Sequence, residues 1–333
     1  MTYERLAVCA SSSIEEDIAD MHNSGVDLNK PNEQGVTMLI AAARNGNVEV
    51  VQALTKLKLV KKDIKDNVTQ QTALLAAIKA GHPSTAQMLV ASGADVNAAD
   101  KDGQSAIMSA CYQGYTPLVE ALILKGAVLK AVDKEGFNAL TLAASNGHFE
   151  CVKLLIKAGI NLDMRVKQNG FTALSYAAAA TKTDIVKALV DANANVNKVD
   201  SQGVPPIFHL SRNGQAESVE LLIKHGADVN IASRRLGESP LTGACVSGSL
   251  PTITALLKAG ANVNHQERDS GLTPLMIAAA KGHEDVVRLL LQHGANPKQT
   301  RLDSKSTAKD AALKNQHTGV AKIIDEFAAP GSK

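Results

Sequence analysis

A positional register that returns about every 33 residues constrains this chain more than any other feature. Its fullest statement is the stretch 133–163, DKEGFNALTLAASNGHFECVKLLIKAGINLD. Gly136 marks a polar turn, and Asn138 opens an apolar-periodic helix that stops at Gly147. A second helix carries Cys151, Val152, Leu154, Leu155 and Ile156 and stops at Gly159. The turn slot recurs as Gly35, Gln70, Gly103, Gly136, Gly170, Gly203, Gly237, Gly271 and Lys305. The first-helix stop recurs at Gly46, Gly81, Gly114, Gly147, Gly214, Gly248 and Gly282. A cap slot reads Thr37, Thr72, Ser105, Asn138, Thr172, Ser239, Thr273 and Thr307, with Pro205 as the exception. A cap oxygen takes a free helical amide, and glycine enters the left-handed region without a Cβ clash. These signals therefore predict repeated helix pairs joined by turns.

The residues that follow make a family resemblance specific. GLTPLMIAAAKGH at 271–283, GADVN at 93–97 and 226–230, and GANVN at 260–264 resemble the ankyrin-repeat pattern. The resemblance implies an all-α repeat solenoid of helix-turn-helix units joined by β-hairpin-like turns. It covers residues 1–327 as one domain: an N-terminal capping unit at 1–30, eight full repeats at 32–298 and a C-terminal capping unit at 301–327. Residues 328–333 read as a disordered tail. The family's TPLH tetrapeptide is nowhere intact, because Ser175, Phe208, Thr242 and Met276 occupy the histidine position.

Composition agrees with a thin, repeated core. Aromatic residues are 3% of the 333, and there is no tryptophan. A solenoid buries small and aliphatic side chains between neighbouring units. A net charge of +2 provides no basic footprint for nucleic acid. No apolar run approaches the roughly 20 residues needed to span a bilayer, and MTYERLAV lacks a signal-peptide core. The expectation is a soluble cytoplasmic or nuclear protein, with no membrane insertion and monomeric by itself. Cys9, Cys111, Cys151 and Cys245 occupy small or apolar slots and match no zinc spacing, so they read as reduced core thiols.

Several units depart from the register. Residues 1–30 carry apolar stripes at Leu6 and Val8 and at Ile14, Ile18 and Met21, with Glu15, Glu16, Asp17 and Asp20 on a solvated face. In TKLKLVKKDIKD no stop glycine follows Leu54, and Gln70 replaces the next turn glycine, so this junction reads as a local weak point. Thr181 replaces a stop glycine. Because β-branched residues fit the left-handed region poorly, that helix is expected to end differently. Asn193 replaces another glycine and is expected to keep the usual exit. His209 reads as structural, having no companion ligands.

No catalytic constellation, phosphate-cradling loop, cofactor motif or metal-ligand set emerges, and the reading is of a protein that is not an enzyme. The family resemblance implies a concave surface, made by turn tips and first-helix faces, that binds protein partners. Carried over position by position, it gives Lys101, Asp102 and Tyr112, with Gln104 and Gln113, in the third unit. It adds Lys134, Glu135 and Phe137 in the fourth and Gln168, Asn169 and Phe171 in the fifth. Phe137 and Phe171 directly follow turn glycines and read as an exposed anchor pair. Arg212 and Arg235, with Arg234, form a cationic end. The resemblance also makes Asn97 and Asn230 candidates for hydroxylation. The leading expectation is a non-catalytic scaffold or adaptor for a protein partner. The alternatives are a regulatory or targeting module of a larger enzyme or ubiquitin-ligase adaptor, and a small-ligand sensor.

Overall fold

The computed structural model describes residues 14–328. Leu6, Val8 and Cys9, together with the tail after Ala328, lie outside the described residues. Ala328 itself closes the last helix, Thr318–Ala328. Among the described residues there are nineteen helices and one isolated bridge, between Ala99 and Ser105. This is the all-α array of helix pairs that the register predicts.

The chain divides into two units, Met1–Asn161 and Leu162–Lys333. In the first, Met38–Arg44, Ala73–Lys79, Ala106–Gln113 and Ala139–Asn146 pack in chain order as one layer. Ile14–Asn23, Val48–Lys56, Pro83–Ala91, Thr116–Leu124 and Phe149–Lys157 make the other. In the second unit, Ala173–Ala179, Pro206–Arg212, Pro240–Ser247, Pro274–Lys281 and Ala308–Lys314 form the first-helix layer. Thr183–Asp191, Ala216–Lys224, Leu250–Lys258, Glu284–Gln292 and Thr318–Ala328 back it.

Each first helix is only two turns long, too short to persist alone in water, so packing must hold it. Small residues such as Ala76, Ala77, Ala143 and Ala144 are fully buried and let neighbouring helices approach. Leu75, Leu122, Leu155, Leu222 and Leu256 fill the space between layers. Each such leucine contributes about 1.5–3 kcal/mol by leaving water.

Caps start these helices as expected. Thr37, Thr72, Thr172, Thr273 and Thr307 each accept the amide three residues on. Asn138 with Thr141 and Ser239 with Thr242 form reciprocal capping boxes. Ser105 departs from the rule: its buried hydroxyl has no hydrogen-bond partner among the described residues, and its backbone joins the bridge to Ala99 instead.

Helix ends hold a correction. Thr181 keeps the left-handed conformation, with φ +54°, and so the expectation of a different ending fails. The amide of Lys182 still reaches the Ala177 carbonyl at 2.9 Å, and the packed helix pair imposes the turn on a side chain that disfavours it. Gln70, Asn193 and Lys305 adopt the same region. Val48–Lys56 does end differently, because Leu57 is extended. There Asn29 ties the loop down, donating to the Leu59 carbonyl at 3.0 Å and accepting from the Lys61 amide at 2.7 Å.

A recurring device lies over four of the first-helix stops. The imidazoles of His82, His148, His283 and His317 sit where a Cβ on Gly46, Gly114, Gly248 or Gly282 would have to go. Each histidine belongs to the next repeat, so the glycine is demanded twice, by its φ and by the ring above it. His148 also hydrogen-bonds the Tyr112 carbonyl through Nε2 at 2.9 Å.

Candidate functional site

The turn tips are built by carboxylates. Asp100 Oδ1 accepts the amides of Asp102 and Gln104, both at 2.9 Å. Asp133 does the same for Glu135 and Phe137, and Asp200 for Gln202 and Val204. Successive tips are then joined by backbone bonds. In the first unit the Lys101 amide donates to Thr69 at 3.1 Å, and the Lys134 amide to Asp102 at 2.9 Å. In the second, Ser201 donates to Asn169 at 2.9 Å and Arg234 to Gln202 at 2.7 Å. The tip side chains therefore stand on a hydrogen-bonded backbone.

Two acids in this framework are buried and paired. Burial raises the Asp100 carboxyl, but Lys79 Nζ at 2.5 Å and the Gln104 and Asp102 amides outweigh it, leaving the group below its ordinary range. Asp66 follows the same logic: burial is outweighed by the Thr69 hydroxyl and amide, the Val68 amide and Arg44.

The residues singled out in sequence separate into distinct roles. Tyr112 is 53% exposed at the end of Ala106–Gln113. Lys101, Asp102, Lys134 and Glu135 are exposed tips, and Lys134 lies 3.9 Å from Asp102. Gln168 and Arg235 are exposed. Asn169 is half-buried; its side chain donates to the Tyr176 hydroxyl at 2.9 Å and accepts the Phe171 amide at 3.0 Å. Arg212 pairs with Glu238 at 3.4 Å, which partly neutralises the expected cationic end.

The anchor-pair geometry needs correcting. Phe137 and Phe171 are half-buried, not exposed. The Phe171 ring lies 5.1 Å from Tyr176 and 5.4 Å from His209, so it folds back over its own hairpin and onto the next repeat. Aromatic rings that find such edge contacts gain about 0.5–1.5 kcal/mol beyond their burial, which favours the folded-back rotamer. His209, half-buried between Phe171 and Phe208, is held below its ordinary pKa by burial.

Instead, the first unit carries an open cleft of about 400 Å³ beside Tyr112, lined by Lys79, Gln104, Met108, Ser109, Gln113 and Leu142. Its floor is apolar: Met108 and Leu142 are buried. The Ser109 hydroxyl in this floor is buried and has no partner among the described residues. An unpaired buried hydroxyl costs about 1–3 kcal/mol. Gln104 was legible as a turn-tip position, and Tyr112 and Gln113 as first-helix face positions. Met108, Ser109 and Leu142 were not, because their periodicity is that of core residues.

Asn97 and Asn230 occupy a different surface. Asn97 donates to the Gly126 carbonyl at 3.3 Å and accepts the Val128 amide at 2.8 Å. Asn230 bridges to Gly260 and Asn262 at 3.1 and 2.8 Å in the same way. Both side chains tie one exit loop to the next repeat.

Cysteines give the remaining chemistry. Cys111, Cys151 and Cys245 are free and buried. Cys111 and Cys151 belong to adjacent repeats. The Cys151 thiol is brought down to about 7, chiefly by Cys111 and against burial, with the Thr116 hydroxyl 3.5 Å away. Burial pushes Cys111 and Cys245 up. Among the described residues there is no cluster of three or more His, Cys, Asp or Glu suited to a metal ion. No helix among them is long and apolar enough to cross a membrane.

Comparison with known proteins agrees with this architecture. A family model described as ankyrin repeats (3 copies) matches overlapping stretches at 6–100, 93–166, 161–233, 179–267, 207–301 and 241–328. A search of curated proteins found no match. With cap, stop and helix pair recurring in step and the matched stretches covering most of its length, the chain belongs to the ankyrin-repeat family.

Proposed function

We propose that this protein is a non-catalytic scaffold that docks a segment of a protein partner on the first-helix face of its Met1–Asn161 unit. Ankyrin repeats are in general protein–protein interaction modules. The observation that carries the reading here is the cleft beside the exposed Tyr112, with an apolar floor. A partner side chain entering it would pack against Tyr112, while the partner's peptide groups would meet Gln104 and Gln113. Tyr112 is a rigid amphipathic anchor of the kind that dominates interfaces. Lys101, Asp102, Lys134 and Glu135 supply a charged rim, worth more in orientation and association rate than in affinity.

Crosslinking mass spectrometry of the tagged protein in its own cell lysate tests this directly. Partner crosslinks should concentrate on Lys79, Lys101 and Lys134. Tyr112→Ala should weaken capture at least about tenfold, the effect of losing an anchor of about 1.4 kcal/mol or more. Unaltered capture by a variant with unchanged helical circular dichroism would overturn the assignment of the cleft.

A further inference from the structure

We propose that the exit-loop edge of the Met1–Asn161 unit, which the docking cleft does not use, is a peripheral binding surface for an anionic phospholipid bilayer. Hydrogen bonds set the exit loops of successive repeats side by side on this edge. Asn29 holds the Leu59 carbonyl and the Lys61 amide, Asp63 accepts the Asp95 amide at 2.8 Å, and Asn97 holds the Gly126 carbonyl and the Val128 amide. Two of these loops combine lysines with uncovered apolar side chains. The first is the irregular stretch KLKLVKK at 56–62, where Lys58 and Lys61 are exposed, Lys62 is half-buried and Leu59 is 39% exposed. The second follows Thr116–Leu124, where Lys125 and Lys130 are exposed beside Leu124 and Val128, themselves 80% and 41% exposed. In the next repeat Lys157 closes Phe149–Lys157 at the position that Leu124 fills in its own helix.

Charge complementarity selects the target. Lys58, Lys61, Lys62, Lys125, Lys130 and Lys157 have no ion-pair partner among the described residues. The acids on the same loops are Asp27, Asp63 and Asp95, and each already holds a backbone amide. Positive charge is therefore in excess, and its attraction to an anionic leaflet needs no matched pocket. Leu59, Leu124 and Val128 are three of the ten large hydrophobic side chains exposed among the described residues. Gathered among lysines, they form a patch and not the single scattered residues of an ordinary surface. An acidic peptide would meet the charges alone. A bilayer surface meets both, taking the apolar side chains at the headgroup boundary while the ammonium groups stay at the phosphates. The contact stays at the surface, since no helix among the described residues is long and apolar enough to cross a membrane.

The test sediments the full chain with vesicles of phosphatidylcholine alone and with vesicles in which about one quarter is phosphatidylserine. Binding should require phosphatidylserine and fall steeply as salt rises from about 0.05 to 0.5 M, because screening shortens the reach of the lysines. Each lysine near such a surface is worth about fivefold in the partition coefficient. Lys58→Gln with Lys61→Gln and Lys62→Gln should therefore reduce binding about a hundredfold, and Lys125→Gln with Lys130→Gln about twentyfold. Leu124→Ser should reduce it about tenfold and leave the salt dependence as it was. Tyr112→Ala should not change vesicle binding, which separates this edge from the docking cleft. A wild-type chain that stays in the supernatant with both vesicles at low salt would overturn the proposal. So would equal binding to both, or binding undiminished in the triple glutamine variant. Capture of a polyglutamate peptide without capture of vesicles would also overturn it and give the edge to an acidic protein segment. The wild-type vesicle result decides the question even if a variant fails to fold.

Discussion

At the scale of single residues, the same amino acid is held for different reasons at different slots. Gly114 has φ +76°, and a Cβ there would collide with the His148 imidazole. Gly126 has φ +82°, with open space around it. Gly126→Ala should therefore cost only the left-handed penalty, about 1–2 kcal/mol. Gly114→Ala should cost more, by about 1–3 kcal/mol for the displaced ring. Adding His148→Ala to Gly114→Ala should recover part of that excess, a coupling that denaturant melts of the double-mutant cycle will measure. Asp66 and Asp100 give a residue-scale prediction in pH. Their carboxyls titrate below the unfolded value, so the stability they contribute is complete above about pH 4 and is lost as pH falls through the folded value. Asp100→Asn should lower the melting temperature at pH 7, and the deficit should shrink as the pH is taken below about 4. A deficit independent of pH would show that the carboxylate's charge is not what holds the tip.

At the scale of the helix, caps and packing divide the work. Thr172 satisfies the Ser175 amide at 3.2 Å at the start of a seven-residue helix. Removing that oxygen in Thr172→Ala should destabilise by about 0.5–2 kcal/mol in chemical denaturation. Ser105 holds the same slot without making the bond, so Ser105→Ala should cost little or nothing; a loss as large as that at Thr172 would refute the distinction. The left-handed threonine at 181 belongs at this scale too. Thr181→Gly should stabilise the protein by about 1 kcal/mol, because glycine accepts φ +54° without the penalty that threonine bears.

At the larger scale, within each of the two units the helix pairs contact their counterparts in neighbouring repeats, so stability there is close to a sum of repeat and interface terms. Leu256 is fully buried in Leu250–Lys258, between Ala216–Lys224 and Glu284–Gln292. Leu256→Ala should cost about 2–5 kcal/mol. Hydrogen exchange should show the loss concentrated in its own repeat and those two neighbouring helices, declining along the chain. Uniform loss of protection throughout the protein would contradict nearest-neighbour coupling.

Helix positions, caps and stops could be read from the bare chain because they are local: a cap oxygen, a glycine at φ above zero and an apolar face each act within a few residues. Even the buried slots of Cys111, Cys151 and Cys245 were legible that way. Contacts between residues some 30–40 positions apart were not, since the register says which slot a residue fills but not what faces it across the interface. Packing alone turned Phe171 onto His209, set an imidazole over each of four stop glycines and left the Ser109 hydroxyl unpaired in the cleft beside Tyr112. It also held Thr181 left-handed against its own preference, because the helix pair it joins is packed together and onto the next repeat. Local chemistry thus sets where each helix begins and ends, and the interfaces between repeats decide which side chains are left to do anything else.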